Sequence, residues 1–96
     1  MKNTVVINKL LNRVGMKVFI KYFESFNNPK LTNNDIVELF EEDFTMKSKI
    51  SRTSKARKLI RENALVDILE VIINAKKIDL ETSEKAQILF KNYQDQ

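Results

Sequence analysis

Glycine and proline, the two residues that most readily interrupt a helix, each occur once in this chain of 96 residues, as Gly15 and Pro29. A β-rich fold of this length needs many tight turns, and such turns are built largely from these two residues. The long uninterrupted runs therefore favour helices over strands. We expect an all-α protein: a single compact helical domain over residues 1–96, with four to six helices in an irregular or orthogonal bundle.

Apolar residues recur at helical spacing on both sides of Gly15 and predict helices over residues 4–14 and 16–26. The first stripe consists of Ile7, Leu10, Leu11 and Val14, and the second of Phe19, Tyr22, Phe23 and Phe26. Glycine inside a helix costs about 1 kcal/mol relative to alanine. We therefore prefer a break at Gly15, with one helix over residues 4–26 as the alternative. A loop at 27–30 follows.

Two capping patterns mark helix starts in the middle of the chain. Thr32 with Asp35 three residues later resembles a capping box, and we expect its helix to run to about Phe44. The expected core residues of that helix are Ile36, Val37, Leu39, Phe40 and Phe44. Thr45 caps the next helix, over residues 46–62. Its expected inward residues are Met46, Ile50, Thr53 and Ile60, followed by Ala64.

Residues 64–75 are apolar on nearly all sides, which is typical of a central helix packed on several faces. Residues 46–75 form either one helix or two. The apolar stripe changes direction near Asn63, which favours two. Asp79 is placed to cap a final helix.

Cysteine, histidine and tryptophan are absent from the sequence. Disulfides, thiolate nucleophiles, imidazole bases and Cys/His zinc sites are thereby excluded. The remaining polar residues show no recognisable catalytic spacing, so we expect a protein that is not an enzyme and uses no cofactor, metal or small-molecule substrate. No apolar run approaches the roughly 20 residues that span a bilayer or the roughly 7–15 of a signal-peptide core, and we expect a cytoplasmic protein without membrane association.

The net charge of +4 conceals a strong segregation of charge along the chain. Residues 1–23 carry five basic groups and no acid, whereas residues 24–46 carry six acids and one basic group. Residues 47–61 carry seven basic groups and no acid, which makes this the densest block of one charge. A cationic helix suits an anionic partner.

The predicted binding residues lie in this block, on an outward arc opposite Ile50, Thr53 and Ile60. They are Lys47, Ser51, Arg52, Ser54, Lys55, Lys58 and Arg61. Lysine neutralises phosphate, arginine forms two bonds to phosphate or guanine, and serine donates or accepts. This combination points to nucleic acid, most simply duplex DNA. Arg57 and Lys49 flank the arc and are expected to touch backbone phosphates.

The order of a capped helix, a turn and a basic helix over residues 32–61 resembles a helix-turn-helix DNA-binding unit. In that family the second helix enters the major groove and its early residues contact bases. The resemblance implies a DNA-binding regulatory or accessory protein. The connection is longer than the family's tight turn and lacks its frequent glycine.

Three other interpretations of the charge blocks remain open. The lysines can form a solvated face that pairs with the acidic block, at up to about 1 kcal/mol per exposed pair. Alternatively the chain is a small protein-interaction module, such as an adaptor, an inhibitor or an immunity-type protein, or it forms a homodimer. The acidic cluster of Glu38, Glu41, Glu42 and Asp43 suits a hard cation in principle, but no calcium-binding loop accompanies it.

Overall fold

Seven α-helices and no β-strand occur in residues 4–94, the part of the chain that the computed structural model describes. They are α1 (Thr4–Val14), α2 (Met16–Lys21), α3 (Phe23–Phe26), α4 (Asn33–Val37), α5 (Met46–Glu62), α6 (Leu65–Ile73) and α7 (Leu80–Gln94). They form one globule of 32 × 27 × 23 Å. The expected all-α single domain is confirmed. The helices number one more than the upper expectation because residues 16–26 are divided at Tyr22.

The two helix alternatives that the sequence leaves open are both decided in favour of a break. Gly15 separates α1 from α2 and adopts a φ of +91°, which side-chain-bearing residues rarely adopt. Asn63 is extended, with φ −138° and ψ 155°, and ends α5. Its backbone N–H and its side-chain Nδ2 both donate to the Leu59 carbonyl, over 3.0 and 3.1 Å, which holds Asn63 at the end of the helix.

The predicted caps are confirmed. The Thr32 hydroxyl accepts from the Asp35 backbone N–H over 3.1 Å, and the Asp35 carboxylate accepts from the Thr32 N–H over 2.9 Å, so the capping box is complete. The hydrogen bond from the Thr32 backbone lowers the pKa of Asp35. Asp79 accepts from both the hydroxyl and the backbone N–H of Thr82, and these bonds lower the pKa of Asp79.

The prediction of a helix from Thr32 to about Phe44 is wrong in its second half, because α4 ends at Val37. Three acids close together, Glu41 to Asp43, would sit at the negative C-terminal end of a longer helix. Instead, the backbone N–H of Glu41 donates to the Tyr22 hydroxyl over 2.9 Å. Leu39, expected in the core, is 47% exposed in this non-helical connection.

The core is built around aromatic rings from α2, α3 and the connection after α4. Phe19 is fully buried and packs on Phe23 and Phe26, with ring centroids 5.7 and 6.0 Å apart. Phe40 lies 4.8 Å from the Tyr22 ring and extends the cluster. Within residues 4–94, no helix is both long enough and apolar enough to cross a membrane.

Candidate nucleic-acid interface

The predicted basic block folds as α5, a helix of 17 residues and therefore about 25 Å long. The Thr45 hydroxyl accepts from the backbone N–H of Ser48 over 3.1 Å and fixes the start of the helix, as the sequence predicts. The helix packs mainly against α1 and α4. It therefore presents its remaining face to solvent as a straight surface four to five turns long.

The inward face of α5 combines two small side chains with one large apolar side chain. Thr53, Ala56 and Leu59 are its buried residues. The prediction that Met46 and Ile50 point inward is wrong, since they are 60% and 49% exposed. Ala56 is fully buried and lies on the side of α5 that packs into the fold.

Thr53 carries an unpaired polar atom into the core. The residue is fully buried, and its hydroxyl has no hydrogen-bond partner within residues 4–94. Since a buried unpaired hydroxyl costs about 1–3 kcal/mol, Thr53→Val is expected to raise the free energy of unfolding by about 1–2 kcal/mol. Urea denaturation should show a higher midpoint with an unchanged slope. Thr53→Ser keeps the hydroxyl, removes a methyl group and should lower the midpoint; a lower midpoint for Thr53→Val would contradict the assignment.

Arg52 turns inward, contrary to its predicted place on the outward arc. Its Nη1 donates to the carbonyl of Val14, the last residue of α1, over 2.6 Å. Its Nε donates to the Ser48 hydroxyl over 2.9 Å, and the guanidinium carbon lies 3.9 Å from the centre of the Phe44 ring. Arg52 therefore joins α1, α5 and the connection between α4 and α5 through its guanidinium.

Arg57, expected at the flank of the arc, is also engaged within the fold. Its Nη2 donates to the carbonyls of Asn28 and Leu31 over 2.9 and 2.7 Å, and its Nη1 to the Asn33 side chain over 3.2 Å. These bonds fix the loop before α4 against α5. Both central arginines of α5 thus hold neighbouring segments, while Lys47 and Lys58 are exposed to solvent.

The structure brings six of the seven predicted residues together on one solvent-facing side of α5, and Arg52 is the exception. We call this surface the α5 basic face; its members are Lys47, Ser51, Ser54, Lys55, Lys58 and Arg61. Lys47, Ser54, Lys58 and Arg61 are exposed. Lys55 is half-buried, and its ammonium group donates to the Ser51 hydroxyl over 2.5 Å. Arg61 lies 3.8 Å from the exposed carboxylate of Glu62.

The acidic block does not pair with the α5 basic face among residues 4–94. Instead, Lys21 of α2 contacts Glu41 and Glu42 over 3.3 and 3.0 Å. The Tyr22 hydroxyl donates to Glu42 over 2.7 Å. Burial acts to raise the pKa of Glu42, but the bonds from Tyr22 and Lys21 outweigh it and lower the pKa. Burial also raises the pKa of Tyr22, and the bond to Glu42 raises that of Lys21.

Shallow surface depressions occur on the described part of the chain. One of about 460 Å³ lies between the loop before α4 and the end of α5, lined by Pro29, Arg57, Ile60 and Arg61 among others. It adjoins the α5 basic face at Arg61. Within residues 4–94, no cluster of three or more acidic side chains is placed to hold a metal ion.

The helix order of the helix-turn-helix resemblance is present, but its connection is not short. Residues 38–45 join α4 to α5, in place of the three or four residues typical of that unit. The sequence pattern also does not predict the exposure of Met46 and Ile50 beside the α5 basic face. Comparisons with protein-family models, with curated proteins and with solved structures gave no match.

Proposed function

We propose that this chain is a non-enzymatic DNA-binding protein, with a regulatory or accessory role, that docks the α5 basic face on duplex DNA. The observation that carries the proposal is a set of four cations along one helix face, none of which forms an ion pair with the acidic block within residues 4–94. We also propose that the protein is cytoplasmic.

Counterion release supplies the affinity. Each cation that replaces a condensed counterion at a phosphate adds a salt-dependent term to the binding constant. Lys47 and Lys58 lie eleven residues apart and therefore about 16 Å along the helix axis. With Lys55 and Arg61, they give a line of charge that can follow one phosphate backbone.

The shape of the face favours a duplex groove. Ser51 and Ser54 lie midway between Lys47 and Lys58, and their small side chains let the helix backbone approach base edges, to which hydroxyls can donate or accept. Single-stranded binding usually relies on exposed aromatic rings. The eight aromatic residues of the chain all lie within residues 4–94, and each is buried or half-buried.

A second candidate is a protein-interaction module, and the exposure of two large apolar residues favours it. Met46 and Ile50 lie one turn apart on α5, next to Lys47. An acidic partner helix with apolar side chains would match both the charge and this apolar pair. Recovery of one stoichiometric protein from the native cell, without nucleic acid, would favour this candidate.

Fluorescence anisotropy with a labelled duplex of about 20 base pairs tests the DNA proposal. With four neutralised phosphates, a plot of log binding constant against log salt concentration should have a slope of about −3.6. A single strand of equal length should bind more weakly and with a shallower slope. Absence of duplex binding at about 50 mM salt, or equal binding of both DNAs, would contradict the proposal.

A further inference from the structure

The outer side of α7 carries a stripe with opposite charges at its two ends. Glu84, Gln87, Ile88 and Lys91 fall at i, i+3, i+4 and i+7 and line a shallow depression of about 440 Å³. Ile88 is 62% exposed, and Leu80, two turns earlier on the same side, is 73% exposed. Neither Glu84 nor Lys91 forms an ion pair with another residue between 4 and 94.

We propose that this stripe is a self-association surface, on which a second copy of the chain packs its own α7 in antiparallel orientation. The order of the charges along α7 favours a second copy of the chain as the partner. Glu84 and Lys91 lie equally far, about 5 Å along the axis, from a point midway between Gln87 and Ile88. A two-fold axis through that point places Glu84 opposite the second copy's Lys91, and Lys91 opposite its Glu84. The two isoleucines meet beside the axis.

A parallel pairing is disfavoured by the same residues. It would set Glu84 against Glu84 and Lys91 against Lys91, which is destabilising. The antiparallel arrangement is thus the self-complementary one, and each protomer contributes both halves of the interaction.

The proposed contact uses a helix that does not carry the α5 basic face. Helix α7 packs mainly on α6 and α2, whereas α5 packs mainly on α1 and α4. A contact of one helix face per protomer buries less than the roughly 1,200 Å² typical of a stable complex. We therefore expect a weak dimer, with a dissociation constant on the order of 0.1 mM.

Sedimentation equilibrium of the full chain, between about 10 µM and 1 mM, tests the proposal. The apparent mass should rise from 11.3 kDa toward twice that value. Glu84→Lys and Lys91→Glu should each weaken association about tenfold, because each variant loses two attractions and gains two repulsions across the axis. The double variant should associate within about threefold of the unchanged chain.

Two further variants separate the surface from effects of folding and net charge. Lys77→Glu makes the same charge change as Lys91→Glu at an exposed site outside α7 and should leave association unchanged. Ile88→Asp should abolish it while the far-ultraviolet circular dichroism stays the same, because the side chain is exposed. A monomer at 1 mM, or failure of the double variant to restore association, would overturn the proposal.

Discussion

A variant in which the four cations of the α5 basic face become glutamine is expected to bind duplex DNA about a thousandfold more weakly at 0.15 M salt. Those cations are Lys47, Lys55, Lys58 and Arg61. Each neutralised phosphate contributes about 0.9 to the slope of log binding constant against log salt concentration. Four of them therefore account for about three decades in the binding constant at this salt concentration. The magnitude of this slope should decrease by about 3.6. Anisotropy titrations at several salt concentrations measure both quantities.

A second quadruple variant controls for net charge. It replaces four lysines outside α5 by glutamine: Lys17, Lys76, Lys77 and Lys85. All four are exposed, and both variants lower the formal net charge from +4 to zero. Binding by the control should weaken by less than about tenfold, since exposed charges beyond a Debye length of about 8 Å are largely screened. Equal losses for the two variants would show that net charge, not the α5 basic face, governs binding.

The features that the sequence predicts correctly are those decided within a few residues. Thr32 and Asp35 complete their capping box with each other, and Thr45 caps α5 through Ser48. The positions at which helices are interrupted are also decided within a few residues. Gly15 and Asn63 interrupt helices through their own backbone conformations, so local spacing was enough to locate them.

The features that the sequence missed depend on partners far along the chain. Helix α4 ends early because the Tyr22 hydroxyl, 19 residues away, binds the Glu41 backbone. Arg52 turns inward because its guanidinium meets the Val14 carbonyl, 38 residues away. Apolar periodicity placed Met46 and Ile50 inside, yet the small residue Ala56 marks the true inward direction. The sequence of α5 alone does not predict which neighbouring elements pack against it.

Gly15→Ala is expected to lower the free energy of unfolding by about 2–4 kcal/mol. At φ +91° and ψ 121°, a non-glycine residue bears about 1–3 kcal/mol of backbone strain. The added Cβ would also lie 3.1 Å from Nη1 of Arg52, which donates to the neighbouring Val14 carbonyl. Displacing that nitrogen leaves the last carbonyl of α1 without its partner, at a further cost of about 1 kcal/mol or more. Urea denaturation followed by circular dichroism measures the loss.

A double-mutant cycle with Arg52→Ala separates the two contributions to the Gly15→Ala effect. Without the guanidinium, the added methyl group has no close neighbour except Val18, whose nearest atom would be 3.8 Å away. The cost of Gly15→Ala in that background should therefore fall to the backbone strain alone, about 1–3 kcal/mol. The difference between the two backgrounds measures how strongly Arg52 depends on the missing side chain at position 15. A cost below about 0.5 kcal/mol in both backgrounds would contradict the positive φ, and with it the placement of Arg52 at the end of α1.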